Sequence, residues 1–195
     1  VFVGSAYSSL ENLVAFKALA EQMGAPEVVF LKHDLPGRGD NFLRRDDVTP
    51  NRKGAEWVGM QGIAPSQLPA QLKNAGLVVV MEDATAQGII HGNFDGPVVA
   101  FAHQYAKGYE KAELLMGTAN EVEQPSIFVN EKEIPQMTQQ ARQIRNMTPE
   151  DWMGMSKSRL DGAGQLTDRW RHAEHILDVF PAWKLIGRLR ELLGG

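Results

Sequence analysis

The chain has 195 residues, 43% hydrophobic and 23% charged, which is the composition of an ordinary folded domain and not of a disordered or fibrous one. A formal net charge of −4 and the lack of Lys/Arg runs interleaved with aromatics argue against nucleic-acid binding, and polar residues interrupt every apolar segment before it reaches membrane-spanning length. Cysteine is absent, so disulfides, thiolate nucleophiles and Cys-ligated zinc or iron–sulfur clusters are excluded within these residues.

Val1-Phe2-Val3 opens directly inside an apolar strand without an initiator Met or leader, which reads as an excised fragment. Gly4-Ser5 turns the chain, and Leu13, Phe16, Leu19, Ala20 and Met23 then recur at helical spacing until Gly24 and Pro26. The run Val28 to Leu31 follows. Strand, helix, strand is the right-handed crossover unit of a parallel sheet.

Residues 33–50 are rich in Gly, Asp, Asn, Arg and Pro, a loop too long for a simple connection. Short helices are expected at Asn51 to Trp57 and Leu68 to Asn74, then strands at Leu77 to Met81, Val98 to Phe101 and Leu114 to Met116. Gln87 to Gly96, with three Gly, reads as an irregular turn. The pattern predicts an α/β fold, a Rossmann-like three-layer sandwich with a mostly parallel sheet of five strands, plus a C-terminal helical segment.

Residues 1–120 form the doubly wound part in this reading, and 121–195 an extended and helical segment packed on it. Glu121 to Gln143 reads as extended pieces and loops. Thr148-Pro149-Glu150-Asp151 has the chemistry of a helix start, and Gly162-Ala163-Gly164 that of a hinge. Trp183, Ile186, Leu189 and Leu193 share one face of a closing helix.

Catalytic motifs fail on inspection. His172, Glu174 and His175 lack metalloprotease spacing and a third ligand, and His33, His91 and His103 are scattered. Gly37-Arg38-Gly39 is followed by Phe42 where the dinucleotide fingerprint needs Gly, and no phosphate-loop Lys or Gly-x-Ser-x-Gly elbow occurs. Asp46-Asp47 reads as a solvated turn, and Arg38-Gly39-Asp40 as a chance triplet.

Several segments together resemble one family, the large iron–sulfur subunit of bacterial NADH:quinone oxidoreductase, complex I, whose later domains are similar to the molybdopterin oxidoreductases. Gly4-Ser5 followed by Glu11-Asn12 resembles the family's Gly-Ser turn and acidic-Asn helix start. Leu43 to Ala55, with Arg44-Arg45-Asp46 and Pro50-Asn51-Arg52-Lys53-Gly54-Ala55, resembles its Arg-Ala-Asp … Pro-Asn-x-x-Gly-Ala loop. Glu113 to Met116, Asn130-Glu131-Lys132 and Trp170 to Leu193 fall where it has later segments.

The resemblance implies a structural domain of the peripheral arm, with Gly4, Ser5, Glu11 and Asn12 as a vestigial cofactor cleft. It implies Arg44, Arg45, Asn51 and Arg52 as residues that order the long loop or meet a neighbouring subunit. No cofactor is expected within the fragment, and iron–sulfur clusters are expected in a preceding N-terminal part of the parent. Expected partners are the parent's other domains and other complex I subunits, at a cytoplasmic location peripheral to the inner membrane, with no nucleic acid and no direct membrane insertion. Cofactor-bearing relatives continue the central strand with Gly-x-Asn-Pro, whereas this chain has Met81-Glu82-Asp83-Ala84, whose carboxylates oppose a phosphate-bearing pterin. The rival enzyme reading is a cofactor-binding domain of a molybdopterin oxidoreductase such as a formate dehydrogenase. The other rival is an unrelated doubly wound binding module.

Overall fold

The computed structural model describes residues 1–25, 27–40, 46–103, 108–119, 124–138 and 180–194. Strands β1 (Phe2–Gly4), β2 (Val28–Leu31), β3 (Gln61–Ile63), β4 (Val78–Met81), β5 (Val98–Ala102) and β6 (Leu114–Gly117) form one sheet in the order β3-β2-β1-β4-β5-β6. Every pairing in it is parallel. Helices α1 (Leu10–Gln22), α2 (Arg52–Trp57), α3 (Leu68–Leu72) and α4 (Ala84–Asn93) lie in the crossovers, and α5 (Ala182–Leu192) follows. The fold is thus the expected α/β three-layer sandwich with a closing helix. β7 (Ser126–Val129) and β8 (Pro135–Thr138) form a separate antiparallel hairpin.

The inner strands β2, β4 and β5 are apolar without interruption because both faces of the sheet are covered there. Alternate residues divide between two cores. Phe2, Phe30, Met81 and Phe101 face α1 and α5, where Phe16 meets Phe2 and Phe101 edge-on at centroid distances of 5.4 and 6.4 Å. Val3, Val29, Val80 and Ala100 face Leu68, Leu72 and Ile90 of α3 and α4.

Two local readings of the sequence are corrected. The sheet has a sixth strand, β3, which carries no apolar run; Gly62 is required there because a Cβ would stand 2.8 Å from the ring of buried Phe30 and 2.6 Å from Lys32 Cε. Helix α4 (Ala84–Asn93) takes in residues 87–93 of the expected irregular turn Gln87 to Gly96, despite Gly88 and Gly92. Asp83 caps it, its Oδ1 accepting from the Ala86 amide at 2.8 Å, and Ala86, Gln87 and Ile90 are buried.

On α5, Ile186 is fully buried and Leu189 packs at the core margin, while Trp183 and Leu193 of the same predicted face stay 39% and 52% exposed. Thr148 to Asp151, Gly162 to Gly164, Trp170, His172, Glu174 and His175 lie outside the described residues, as do Arg44 and Arg45. Among the described residues, no helix is long and apolar enough to cross a membrane.

Candidate functional site

In a doubly wound sheet the chain leaves adjacent central strands toward opposite faces, which opens a crevice at their C-terminal ends. Here those strands are β1, which leads to α1, and β4, which leads to α4. A cleft of about 680 Å³ lies at this place. Tyr7, His33 and Pro50 form one side, Glu82 to Thr85 the floor, and His103 the far end. The hairpin closes it with Phe128, Gln136 and Thr138.

The floor is built from two buried carboxylates. Glu82 is 6% exposed and holds a left-handed backbone, φ 53°, which L-residues avoid. Its side chain accepts from Ser8 Oγ, in the turn after β1, and from Thr118 Oγ1, after β6, the latter at 2.9 Å. Asp83, 3% exposed, spends one oxygen on the α4 cap and receives His33 Nε2–H on the other at 2.9 Å.

That contact holds His33 protonated to a pH above the ordinary imidazole value; burial works the other way but is outweighed. Tyr7 packs against the same ring, centroids 5.3 Å apart, and its hydroxyl pKa is raised by burial first and then by Asp83 and Asp47. Buried Tyr109 is pushed up to about 12 by burial, with Asp83 and Glu82 adding to it.

None of the four residues read as a vestigial cofactor site lines the cleft. Gly4 ends β1, where a Cβ would crowd Met60 Sδ at 3.1 Å. Ser5 is buried, its Oγ accepting from the Tyr7 amide at 3.2 Å. Glu11 and Asn12 instead fasten distant segments: Glu11 Oε2 accepts from the Ile127 amide at 3.1 Å, and Asn12 Oδ1 from the Trp183 amide at 3.0 Å. Asn51 is fully buried, donating from Nδ2 to the Ser8 carbonyl at 2.7 Å and accepting on Oδ1 from the Val129 amide at 2.8 Å. Arg52 pairs with Asp34 and with Asp47, the latter at 3.1 Å, and so ties both ends of the long loop.

Comparison with protein-family models and with curated protein sequences finds no match. The site must be read on its own chemistry. Among the described residues, no group of three or more His, Asp or Glu is placed to hold a metal ion.

His33 and His103 were set aside as scattered histidines and Asp83 was read only as an acidic strand end, because the three are far apart along the sequence and their meeting in one cleft was not foreseen. A usable signal existed: they follow β2, β4 and β5 within two residues, and parallel strands bring their C-terminal ends together. Phe128, Gln136 and Thr138 carried no such signal, since the hairpin's position is not encoded by its own pattern.

Proposed function

We propose that this chain is a structural domain of the NADH:quinone oxidoreductase peripheral arm, resembling the C-terminal part of the large iron–sulfur subunit, and that it supports electron transfer from NADH to quinone without a redox centre of its own. Its partners are then the parent's other domains and neighbouring complex I subunits, and its place is the cytoplasmic side, peripheral to the inner membrane.

The observation that carries this reading is the chemistry of the switch point. In cofactor-binding doubly wound domains, a phosphate sits on free N–H groups at a helix N-terminus. Here Asp83 caps α4 and Glu82 stands beside it, so the position where a pterin dinucleotide's phosphates would fall presents two buried carboxylates. Two like charges about 4 Å apart repel by about 4 kcal/mol near a protein surface, more than a hydrogen bond or two restores. The residues do not fit the cofactor.

The family-like segment supports the same reading from the other side. Pro50 borders the cleft, Asn51 binds Ser8 and Val129, Gly54 makes room for Asn51, and Ala55 is fully buried. Each position has a packing role that needs no ligand.

Elemental analysis of the intact parent, purified with its natural partners, tests the proposal. Iron without molybdenum or tungsten is expected. Stoichiometric molybdenum or tungsten would overturn it in favour of a working molybdopterin oxidoreductase. Replacing Arg45 or Asn51 with Ala is expected to lower the yield of assembled complex.

A further inference from the structure

The connection from α4 to β5, Phe94-Asp95-Gly96-Pro97, lies at the N-terminal edge of the sheet, away from the cleft. Both of its flanks are fastened. The Phe94 amide donates to the Ile90 carbonyl at 2.9 Å, and the Pro97 carbonyl accepts from the Val78 amide at 3.1 Å. The two residues between them are not. Among the described residues, Asp95 is exposed with its carboxylate in no ion pair or hydrogen bond, and the Gly96 N–H donates to no acceptor.

An aspartate carboxyl carbon is within reach of the next residue's amide nitrogen, with which it closes a five-membered ring. Closure is fastest where that next residue is Gly, which puts no side chain in the way and lets the backbone turn. Gly96 is moreover fixed by the fold, because a Cβ there would stand 2.4 Å from Cζ of Phe94, a ring packed against the second core. Among the described aspartates, Asp95 alone precedes Gly. Asp34, Asp46, Asp47 and Asp83 are in addition held by ion pairs or hydrogen bonds.

We propose that Asp95-Gly96 is a modification site, at which the folded chain rearranges to isoaspartate and becomes a substrate for a carboxyl methyltransferase that uses a sulfonium methyl donor. The Gly96 nitrogen attacks Cγ of the protonated Asp95 carboxyl group. The N–Cγ bond forms, a Cγ–O bond breaks, and the oxygen leaves as water with the carboxyl proton and the amide proton. Water then opens the ring at the Asp95 main-chain carbonyl carbon, breaking its bond to the Gly96 nitrogen. The main chain now runs through Cβ and Cγ, and the α-carboxylate is free. No reactant besides water enters. The methyltransferase esterifies that α-carboxylate, and the ester re-forms the ring with loss of methanol, which returns part of the chain to aspartate. The rearranged main chain is longer by one carbon, taken up between the anchors at Phe94 and Pro97, where β5 begins its pairing with β4.

The test is prolonged incubation of the intact chain at physiological temperature, with digestion and electron-transfer mass spectrometry to locate isoaspartate. An isoaspartate carboxyl methyltransferase with a tritiated methyl donor labels the same samples. Isoaspartate at residue 95 is expected to accumulate within a few-fold of the rate in a free peptide spanning residues 92–98, because nothing in the fold holds the reacting groups apart. The label is expected on the same residue, with Asp83 unconverted. Asp95→Glu keeps the charge but requires a six-membered ring, and is expected to remove both the conversion and the label from this segment. Conversion in the folded chain more than an order of magnitude slower than in the peptide, conversion of Asp83 at an equal rate, or label on this segment that persists in Asp95→Glu each overturns the proposal.

Discussion

Asn51 Oδ1 accepts the Val129 amide at 2.8 Å across 78 positions of sequence, while its Nδ2 donates to the Ser8 carbonyl at 2.7 Å. One buried amide thus joins the turn after β1, the end of the long loop and the hairpin. Gly54 makes this possible, because a Cβ there would lie 2.1 Å from Asn51 Oδ1. Asn51→Ala is expected to destabilise the chain by about 2–3 kcal/mol, since two backbone groups lose their partners as well as two bonds. Gly54→Ala is expected to cost a similar amount despite a gain of about 1 kcal/mol in helix propensity, because it displaces the same side chain. Urea denaturation decides; a stabilising Gly54→Ala would mean that Asn51 is not held as described.

Among the described residues, no strand covers the outer edge of β7. Glu11 and Asn51 accept the Ile127 and Val129 amides and take the place of a neighbouring strand. Glu11→Ala should therefore loosen the hairpin locally, with faster hydrogen exchange at Ile127 and a global loss of about 0.5–1.5 kcal/mol. Glu11→Gln retains an acceptor and should keep most of the protection. Unaltered exchange at Ile127 in Glu11→Ala would rule out this tie.

The layers were legible because Phe2-Val3, Val28 to Leu31 and Val78 to Met81 are continuous apolar runs, the mark of strands buried on both faces. β3 was not, since Gln61-Gly62-Ile63 is selected by the ring of Phe30 across the sheet and not by its own propensity. Helix α4 was hidden by its glycines, although Asp83 three residues before Ala86 is an N-cap signal. Glu11 and Asn12 were singled out by a resemblance, as part of a vestigial cofactor cleft, whereas their partners come from residues 127 and 183, which no local pattern announces.

Glu82 tests backbone strain separately from its contacts. At φ 53° a β-carbon is disfavoured, so Glu82→Gly and Glu82→Ala lose the same bonds from Ser8 and Thr118 but differ in strain. Both variants are expected to be less stable than the parent chain. Glu82→Gly should be the more stable of the two by about 1 kcal/mol, the cost of holding an L-residue in the left-handed region. Equal thermal midpoints would show that this backbone relaxes when its side chain is cut.

The His33–Asp83 pair makes stability depend on pH with a definite sign. The folded-state pKa of His33 is raised above its ordinary value of 6.5, chiefly by the hydrogen bond to Asp83. The folded form thus holds this proton more tightly than the unfolded chain does, so the pair stabilises fully below pH 6.5 and the contribution fades as pH rises through the higher folded value. Thermal unfolding of the chain and of His33→Gln between about pH 5 and pH 9 should show their difference largest at the acidic end and shrinking toward the alkaline end. Gln keeps a donor for Asp83, so the pH-dependent part isolates the charge. A difference that grows with rising pH would mean that burial dominates His33 and that its proton leaves on folding.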